Sequence, residues 1–307
     1  MKVSEVGFGA WAIGGTSYGT VDRQDSLRAL AMAEELGCNF VDTALVYGDS
    51  ELVLGEFLQG RRNRWLIATK YSGQKLGIVP TVIEQLKRLR TDTIDFYQIH
   101  WCPRKRDRHL YDDLYRLKAS GKVRFIGVSL YDGGDIDYVL DHTDLDGFQV
   151  AFSLLNPDPY LAKLDRVRDK KIGVIIRSCL NGGFLTGKYT RDSRFSDDHD
   201  QRHRLSRKDI VRTVEAAERF RFLEKEAASM LLAAARYPLS FPETSTVIVG
   251  TKTAEQAAIN FGLIPGDILQ SQTLDRIQSL QEEWGLRSCG WKNPFGALKR
   301  IAYNWLR

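Results

Sequence analysis

Eight short, apolar, β-rich runs recur along the 307 residues of this chain, and they constrain its fold more than any other feature. They are nearly unbroken rather than alternating, which is typical of parallel strands that are covered on both faces. The runs lie at residues 6–11, 39–44, 65–70, 95–100, 124–129, 147–153, 173–178 and 245–250. A sheet of such strands needs helices on its outer face.

Helical patterns fill the intervals between the runs. Residues 22–36 carry apolar side chains at helical spacing and end before Gly37, which suits a left-handed cap. Ser50 is placed to cap a second helix. The predicted later helices cover residues 51–58, 80–89, 111–119 and 158–169, and one or two further helices are predicted within 210–237. Alternation through eight strands predicts the α/β fold called a (β/α)8 TIM barrel, whereas a doubly wound sheet, the rival, does not need eight units.

No Pro/Gly/Ser-rich linker divides the chain, so one barrel domain over residues 1–307 is expected. The longest interval between predicted strands is residues 190–239, between strands seven and eight. A charged surface loop followed by helices is predicted there. The tail, 285–307, is basic and aromatic, with Leu298, Ile301 and Trp305 at helical spacing. A helix packed on the barrel is predicted there, with contact to a partner or membrane surface as the alternative.

Composition restricts the partners of the chain. A formal net charge of +5 is too small for a nucleic-acid-binding surface. The four cysteines are far apart, which indicates neither a disulfide framework nor a metal site. The first ten residues lack a signal-peptide pattern, and no apolar run reaches the roughly 20 residues that span a bilayer. A soluble cytoplasmic protein is expected, with no nucleic-acid or membrane partner, and the oligomeric state is left undetermined.

Polar side chains mark the ends of three successive strands. Asp42 and Lys70 lie at the ends of the second and third runs, His100 ends the fourth, and Tyr47 follows Asp42 by five residues. Each has an ordinary structural reading, such as a core histidine for His100 or a snorkelling lysine for Lys70. Because active sites of such barrels lie at the carboxyl ends of the strands, the four are predicted to share one site.

The chemistry of that set is proton donation beside a carbonyl. The mouth of the barrel is its open end, at the carboxyl ends of the strands. Lys70 in a desolvated mouth needs the counter-charge that Asp42 supplies. An ammonium near a phenol favours the phenolate, so Lys70 is expected to lower the pKa of Tyr47. Tyr47 can then donate a proton to a developing alkoxide and take it back in reverse. His100 can orient the carbonyl oxygen with a second hydrogen bond.

Six strings in order along residues 3–264 resemble signatures of the aldo-keto reductase family: VDTALVYGDSELVLGEFL, LIATK, QIHW, GKVRFIGVS, GGFLTGKY and VIVGTKTAEQAAIN. The resemblance implies a barrel that binds NADP(H) without a Rossmann fold and reversibly transfers hydride to an aldehyde or ketone. By position, Asp42, Tyr47, Lys70 and His100 match the family's catalytic tetrad, with Tyr47 as the general acid.

The resemblance also implies cofactor contacts. Ser129 and Gln149 match the residues that hold the nicotinamide carboxamide. The segment that resembles the adenosine-phosphate site contains Gly250, Thr251, Lys252, Gln256 and Asn260. Independently, Gly250 leads into a helix N-terminus, which suits an anion, and Lys252 can meet a 2′-phosphate. NADP is therefore favoured over NAD, although Lys252 also fits a plain surface lysine.

Two positions depart from the family pattern. Leu130 follows GVS where an asparagine is usual, which removes one amide contact. Arg177, followed by Ser178 at the end of strand seven, stands where many members have an aromatic residue that stacks on the nicotinamide. A guanidinium can stack but repels the oxidised, cationic ring, so Arg177 is hypothesised to favour the reduced cofactor. Arg177 and Ser178 are both predicted to contact the cofactor.

The substrate is expected to be a small carbonyl compound in an apolar pocket walled by Trp11, Tyr18 and Trp101, although ordinary aromatic packing also explains these rings. The leading function is an NADP-dependent carbonyl reductase, a class that includes enzymes running in reverse as sugar or alcohol dehydrogenases. Two alternatives remain: a Schiff-base lyase that uses Lys70, and a non-enzymatic NADP-binding regulatory subunit.

Overall fold

The computed structural model describes residues 1–287 apart from positions 16, 159 and 267. In this part of the chain eight parallel strands pair in sequence order, and the last returns to the first, so the sheet closes into a barrel. The strands are β1 (Val6–Gly9), β2 (Phe40–Asp42), β3 (Leu66–Tyr71), β4 (Ile94–Ile99), β5 (Val123–Leu130), β6 (Gly147–Ala151), β7 (Gly173–Arg177) and β8 (Thr246–Gly250). Each predicted run overlaps one strand, and the predicted (β/α)8 barrel is confirmed.

Helices follow every strand and cover the outside of the barrel. In the described residues they are α1 (Arg23–Glu35), α2 (Ser50–Phe57), α3 (Ile78–Leu89), α4 (His109–Ala119), α5 (Gly133–His142), α6 (Leu164–Lys170), α7 (Arg207–Glu218), α8 (Glu224–Ala227), α9 (Met230–Leu239), α10 (Ala254–Gly262) and α11 (Ser271–Glu283). Several begin at a side-chain cap. The Asp22 carboxylate accepts from two amides at the start of α1, and Ser206 and Thr253 cap α7 and α10.

Three helix predictions need correction. Ser50 does not cap α2 but is its first residue, because its hydroxyl bonds Thr43 instead. The helix predicted over 158–169 begins only at Leu164, after a short 3₁₀ turn. The one or two helices predicted over 210–237 are three, with Ala228 in the left-handed region at one break. Helices α5 and α11 were not predicted. The predicted tail helix lies outside the described residues.

Two clusters of apolar side chains show which end of the barrel is open to ligands. The floor inside the strands is filled by Phe40, Ala68, Phe96 and Ile175, near the amino ends of β2, β3 and β4 and within β7. A larger cluster fills the space between the barrel and the helices. Since the floor is packed, ligands reach the barrel from the carboxyl ends of the strands. In the described residues, no helix is long and apolar enough to span a membrane.

Helices α2 and α3 approach closely at Gly55, where an added Cβ would lie 2.1 Å from the carbonyl oxygen of Arg88. We therefore expect Gly55→Ala to push the helices apart and to lower the free energy of unfolding by roughly 1–3 kcal/mol, measured by urea denaturation. Gly262→Ala in α10 is the matched control, since its Cβ would meet only Leu36 methyl groups at 3.7 Å. Equal losses in the two variants would contradict the prediction.

Candidate active site

The four predicted side chains meet at the mouth of the barrel. Asp42 ends β2, Lys70 lies near the end of β3, His100 directly follows β4, and Tyr47 lies between β2 and α2. The Lys70 ammonium lies 5.1 Å from the centre of the Tyr47 ring. The rings of Tyr47 and His100 have centroids 6.0 Å apart, edge to face. The predicted grouping of these residues is therefore present.

Asp42 and Lys70 form a buried ion pair, with 2% and 0% of their surfaces exposed. The Lys70 ammonium donates to Asp42 Oδ2 at 2.6 Å and to the Thr43 carbonyl at 2.8 Å. Asp42 Oδ1 accepts from the side-chain amides of Gln98 at 3.1 Å and Gln149 at 2.9 Å. Burial lowers the pKa of Lys70, and the Asp42 carboxylate opposes that effect.

The electrostatic prediction for Tyr47 is wrong. Lys70 lies against the ring of Tyr47, and in the described residues its ammonium donates to Asp42 and Thr43 and not to the Tyr47 hydroxyl. Tyr47 is partly exposed as a whole, but protein atoms around its hydroxyl desolvate the phenolate. This burial raises the pKa of Tyr47 well above its usual value, and the Asp42 carboxylate raises it further.

Arg177 is the nearby cation that opposes this shift, because its charge lowers the pKa of Tyr47. Its guanidinium lies 4.7 Å from the centre of the Tyr131 ring and donates to the Leu130 carbonyl at 3.0 Å. In the described residues it makes no ion pair with a carboxylate. The structure thus stacks Arg177 on a tyrosine that the sequence analysis did not single out. Its effect on cofactor redox state stays a prediction.

The aromatic wall is only partly as expected. Trp11 stacks on Tyr47 at 5.6 Å and meets Tyr18 edge to face at 5.5 Å, so these three rings form one side of the mouth. Trp101 is 7% exposed, belongs to the main hydrophobic core and packs against Tyr71 at 5.8 Å. Trp101 is therefore placed mainly as a core residue, and the pocket role of Trp11 and Tyr18 stays a prediction.

A second buried carboxylate holds the Tyr47 loop. Glu51 in α2 is fully buried and accepts from Thr69 at 2.7 Å, from Gln85 at 2.8 Å and from Arg88 at 3.1 Å. Arg88 also donates to the Gly48 carbonyl at 2.9 Å, directly after Tyr47. Burial raises the pKa of Glu51. This network ties the loop to α3 and β3.

Sequence reasoning missed Glu51 and Gln98 because their partners come from distant elements. A usable signal existed for Gln98. It lies two residues before His100, and alternation along β4 puts both side chains on the inner face of the barrel. Glu51 carried no such signal, since its place on α2 fitted an ordinary exposed helix position.

Ser129 fits a polar ligand group. Its hydroxyl is fully buried at the end of β5 and has no hydrogen-bond partner among the described residues. The strand register pairs Ser129 with Gln149, whose amide nitrogen donates to Asp42. A buried hydroxyl without a partner is costly, so it suits an amide brought by a ligand. Ser178, next to Arg177, has a left-handed backbone with φ 61°.

The β8–α10 junction holds the other predicted cofactor residues, after the exposed Gly250. Asn260 donates to the Thr251 hydroxyl at 2.9 Å, and both are buried. Gln256 accepts from the Lys252 amide at 2.9 Å. These side chains shape the turn through local bonds. The Lys252 ammonium donates to the Tyr18 carbonyl at 2.6 Å, and burial lowers its pKa.

Two loops are joined beside Lys252. Gly19 donates its amide to the His199 carbonyl at 3.1 Å, and Gln201 donates to the Ser17 carbonyl at 2.9 Å. Arg202 pairs with Asp200 and lies over the rings of Tyr18, Tyr189 and Phe195. The loop after β7 is thereby fixed to the loop after β1. In the described residues, no group of three His, Cys, Asp or Glu side chains is arranged to hold a metal ion.

Comparisons with known proteins identify relatives of this chain. A sequence model of the aldo/keto reductase family matches residues 5–282. The chain is similar to the aldo-keto reductase YhdN of Bacillus subtilis (strain 168), at 32% identity over 222 residues, which is 66% of either length. It is also similar to the NADH-specific methylglyoxal reductase of Escherichia coli (strain K12), at 27% identity over 306 residues, covering 87% of this chain and 93% of that protein.

A solved structure gives the same result for the fold. The glycerol dehydrogenase AKR11B4 from Gluconobacter oxydans superposes with a TM-score of 0.75 at 26% identity and covers 92% of each chain. The described fold is therefore similar to that of a solved dehydrogenase structure.

Gly14 controls the position of Tyr47. An added Cβ there would lie 1.9 Å from the carbonyl oxygen of Tyr47, so Gly14→Ala has to displace the Tyr47 backbone. We expect the variant to lose most of its catalytic activity and roughly 1–3 kcal/mol of unfolding free energy. Activity assays and urea denaturation measure both effects, with Gly262→Ala again as the control. A fully active Gly14→Ala protein would show that the Tyr47 loop is not fixed by this contact.

Proposed function

This chain belongs to the aldo/keto reductase family, and on that premise we propose that it is an NADP(H)-dependent oxidoreductase that reversibly transfers hydride to an aldehyde or ketone. The observation that carries the proposal is the buried Asp42–Lys70 ion pair, which lies against the ring of Tyr47. This reaction needs a proton donor and does not need a nucleophile paired with a base. At the mouth of the barrel, Tyr47 is that proton donor, and His100 lies beside it.

Tyr47 is the general acid in this proposal. Its raised pKa keeps the phenol protonated at neutral pH, so the hydroxyl is ready to donate to the developing alkoxide. The phenolate that forms needs positive charge nearby. Lys70 lies under the ring, and Arg177 acts on the hydroxyl electrostatically. In the reverse direction the phenolate takes the proton of the alcohol.

His100 is the proposed second hydrogen-bond donor to the carbonyl oxygen. Its ring meets the Tyr47 ring edge to face, so both groups can reach one oxygen atom at the mouth. Two donors fixed by the protein stabilise developing negative charge without reorganisation. Trp11 and Tyr18 supply apolar surface next to this point.

NADP(H), when bound, supplies or accepts the hydride. The partnerless hydroxyl of Ser129 fits the carboxamide of the nicotinamide, and Gln149 next to it links that contact to Asp42. Lys252 is the proposed partner of the 2′-phosphate. One relative is named as specific for NADH, so the choice of NADP rests on Lys252 and not on family membership.

The alternative functions fit the geometry less well. A Schiff-base lyase needs an accessible amine, whereas Lys70 is 0% exposed and donates to two oxygens. A regulatory subunit without activity has no need for a complete set of Asp42, Tyr47, Lys70 and His100. Borohydride inactivation in the presence of substrate would favour the lyase.

Tyr47→Phe tests the mechanism directly. We expect NADPH-dependent reduction across a panel of aldehydes, ketones and ketoses to fall by roughly 10²–10⁴-fold, because the general acid is lost. NADPH absorbance gives the rates, and fluorescence titration should show unchanged NADPH binding. Equal rates in the parent and Tyr47→Phe proteins would contradict the proposed mechanism.

Lys252→Met tests the cofactor assignment. A charge-assisted contact to the 2′-phosphate predicts that NADPH affinity falls roughly tenfold or more while NADH affinity changes little. Fluorescence titration with each cofactor measures this. Lys188→Met is the matched control, since Lys188 is a nearby cation that lies on the Tyr189 ring. Parallel losses for both cofactors in Lys252→Met would refute the assignment.

A further inference from the structure

We propose that Ser72 is a positioning residue that holds His100 in the neutral form with its proton on Nε2. The inference rests on the proposed function, because it concerns the donor that His100 presents to a carbonyl oxygen. Ser72 was not among the residues that the sequence analysis identified.

Strand pairing brings the two residues together. Tyr71 and Ile99 are register partners at the ends of β3 and β4, and Ser72 and His100 are their successors. The His100 amide donates to the Tyr71 carbonyl at 2.9 Å, which continues the ladder. Ser72 Oγ lies 2.9 Å from His100 Nδ1. The contact is thus fixed by the barrel itself and not by a mobile loop.

The direction of this hydrogen bond follows from burial. Ser72 is 1% exposed, and among the described residues its hydroxyl has no other acceptor. If Nδ1 carried the proton, Ser72 would accept it and its own O–H would be buried without a partner. A buried hydrogen-bond donor without an acceptor destabilises the folded protein. The hydroxyl therefore donates to Nδ1.

The consequence lies at the other ring nitrogen. A neutral imidazole carries one proton, so an Nδ1 atom that accepts from Ser72 leaves the proton on Nε2. Nε2–H is then a hydrogen-bond donor, as the carbonyl oxygen requires. With the opposite tautomer, Nε2 would present a lone pair and repel that oxygen.

The turn that carries Ser72 is itself held in place. The Ser72 amide donates to the side-chain oxygen of Gln74 at 3.0 Å. The Tyr71 hydroxyl donates to the Gln74 backbone carbonyl at 2.9 Å. These bonds keep Ser72 Oγ directed at His100 before any substrate arrives, which is what a positioning residue has to do.

The tautomer can be read without any activity measurement. Long-range proton–nitrogen NMR spectra of the full-length protein labelled with ¹⁵N-histidine distinguish protonated from unprotonated ring nitrogens, and His100→Gln assigns the signal. We expect His100 of the parent at neutral pH to show protonated Nε2 and unprotonated Nδ1. In Ser72→Ala the signals should shift toward a mixture of tautomers. A parent spectrum with protonated Nδ1, or no change in Ser72→Ala, overturns the inference.

Kinetics give the second test. Ser72→Ala should lower kcat/KM for the carbonyl substrate roughly tenfold, with the dissociation constant of NADPH unchanged. Ser72→Thr keeps the hydroxyl and should recover most of the loss. Ser26→Ala, which removes another buried hydroxyl bonded only to its own helix, is the control. Full activity in a folded Ser72→Ala protein contradicts the inference.

The two proposals fail differently. If the parent reduces no carbonyl compound, the proposed function fails, and the parent NMR spectrum still decides the tautomer. If Tyr47→Phe abolishes activity but Ser72→Ala does not reduce it, only the role of Ser72 is refuted. Should Ser72→Ala fail to fold, the parent spectrum and Ser72→Thr still decide the question.

Discussion

The buried ion pair of Lys70 and Asp42 is the interaction on which the rest of the mouth depends. Two charges without water stabilise a protein only if their other donors and acceptors are satisfied. Here the pair also bonds the Thr43 carbonyl, Gln98 and Gln149, so that it joins β2, β3, β4 and β6. Removing either charge would leave the other buried alone. The polar centre of the barrel is therefore fixed before a ligand binds.

Around this pair the structure fixes a residue that comes from a loop. Tyr47 has no strand to hold it, yet Glu51 and Arg88 bind the segment that follows it, and Gly14 packs directly on its backbone. The protonation state of Tyr47 then follows from where its side chain lies. Lys70 lies against the ring, and burial has the largest effect on the pKa of Tyr47, so the phenol stays protonated. A protonated phenol suits the reductive direction.

Much of this could be predicted from the sequence, for physical reasons. Strand ends of a parallel barrel meet at one face, so Asp42, Lys70 and His100 could be grouped without a structure. Hydrogen-bond direction could not be predicted, because it depends on register and side-chain packing. The pKa of Tyr47 was predicted with the wrong sign for that reason. Ser72 was missed for the same reason, since only the pairing of β3 with β4 reveals its contact.

The most direct test of the central claim follows the hydride itself. The protein is given NADPH that carries deuterium at one face of C4, together with a carbonyl substrate that it reduces, and the alcohol is examined by mass spectrometry and NMR. Direct transfer predicts one deuterium on the former carbonyl carbon, from one face of the cofactor only, and almost no labelled product with Tyr47→Phe. Alcohol without deuterium from either labelled face, or equal labelling by the parent and Tyr47→Phe proteins, would contradict it.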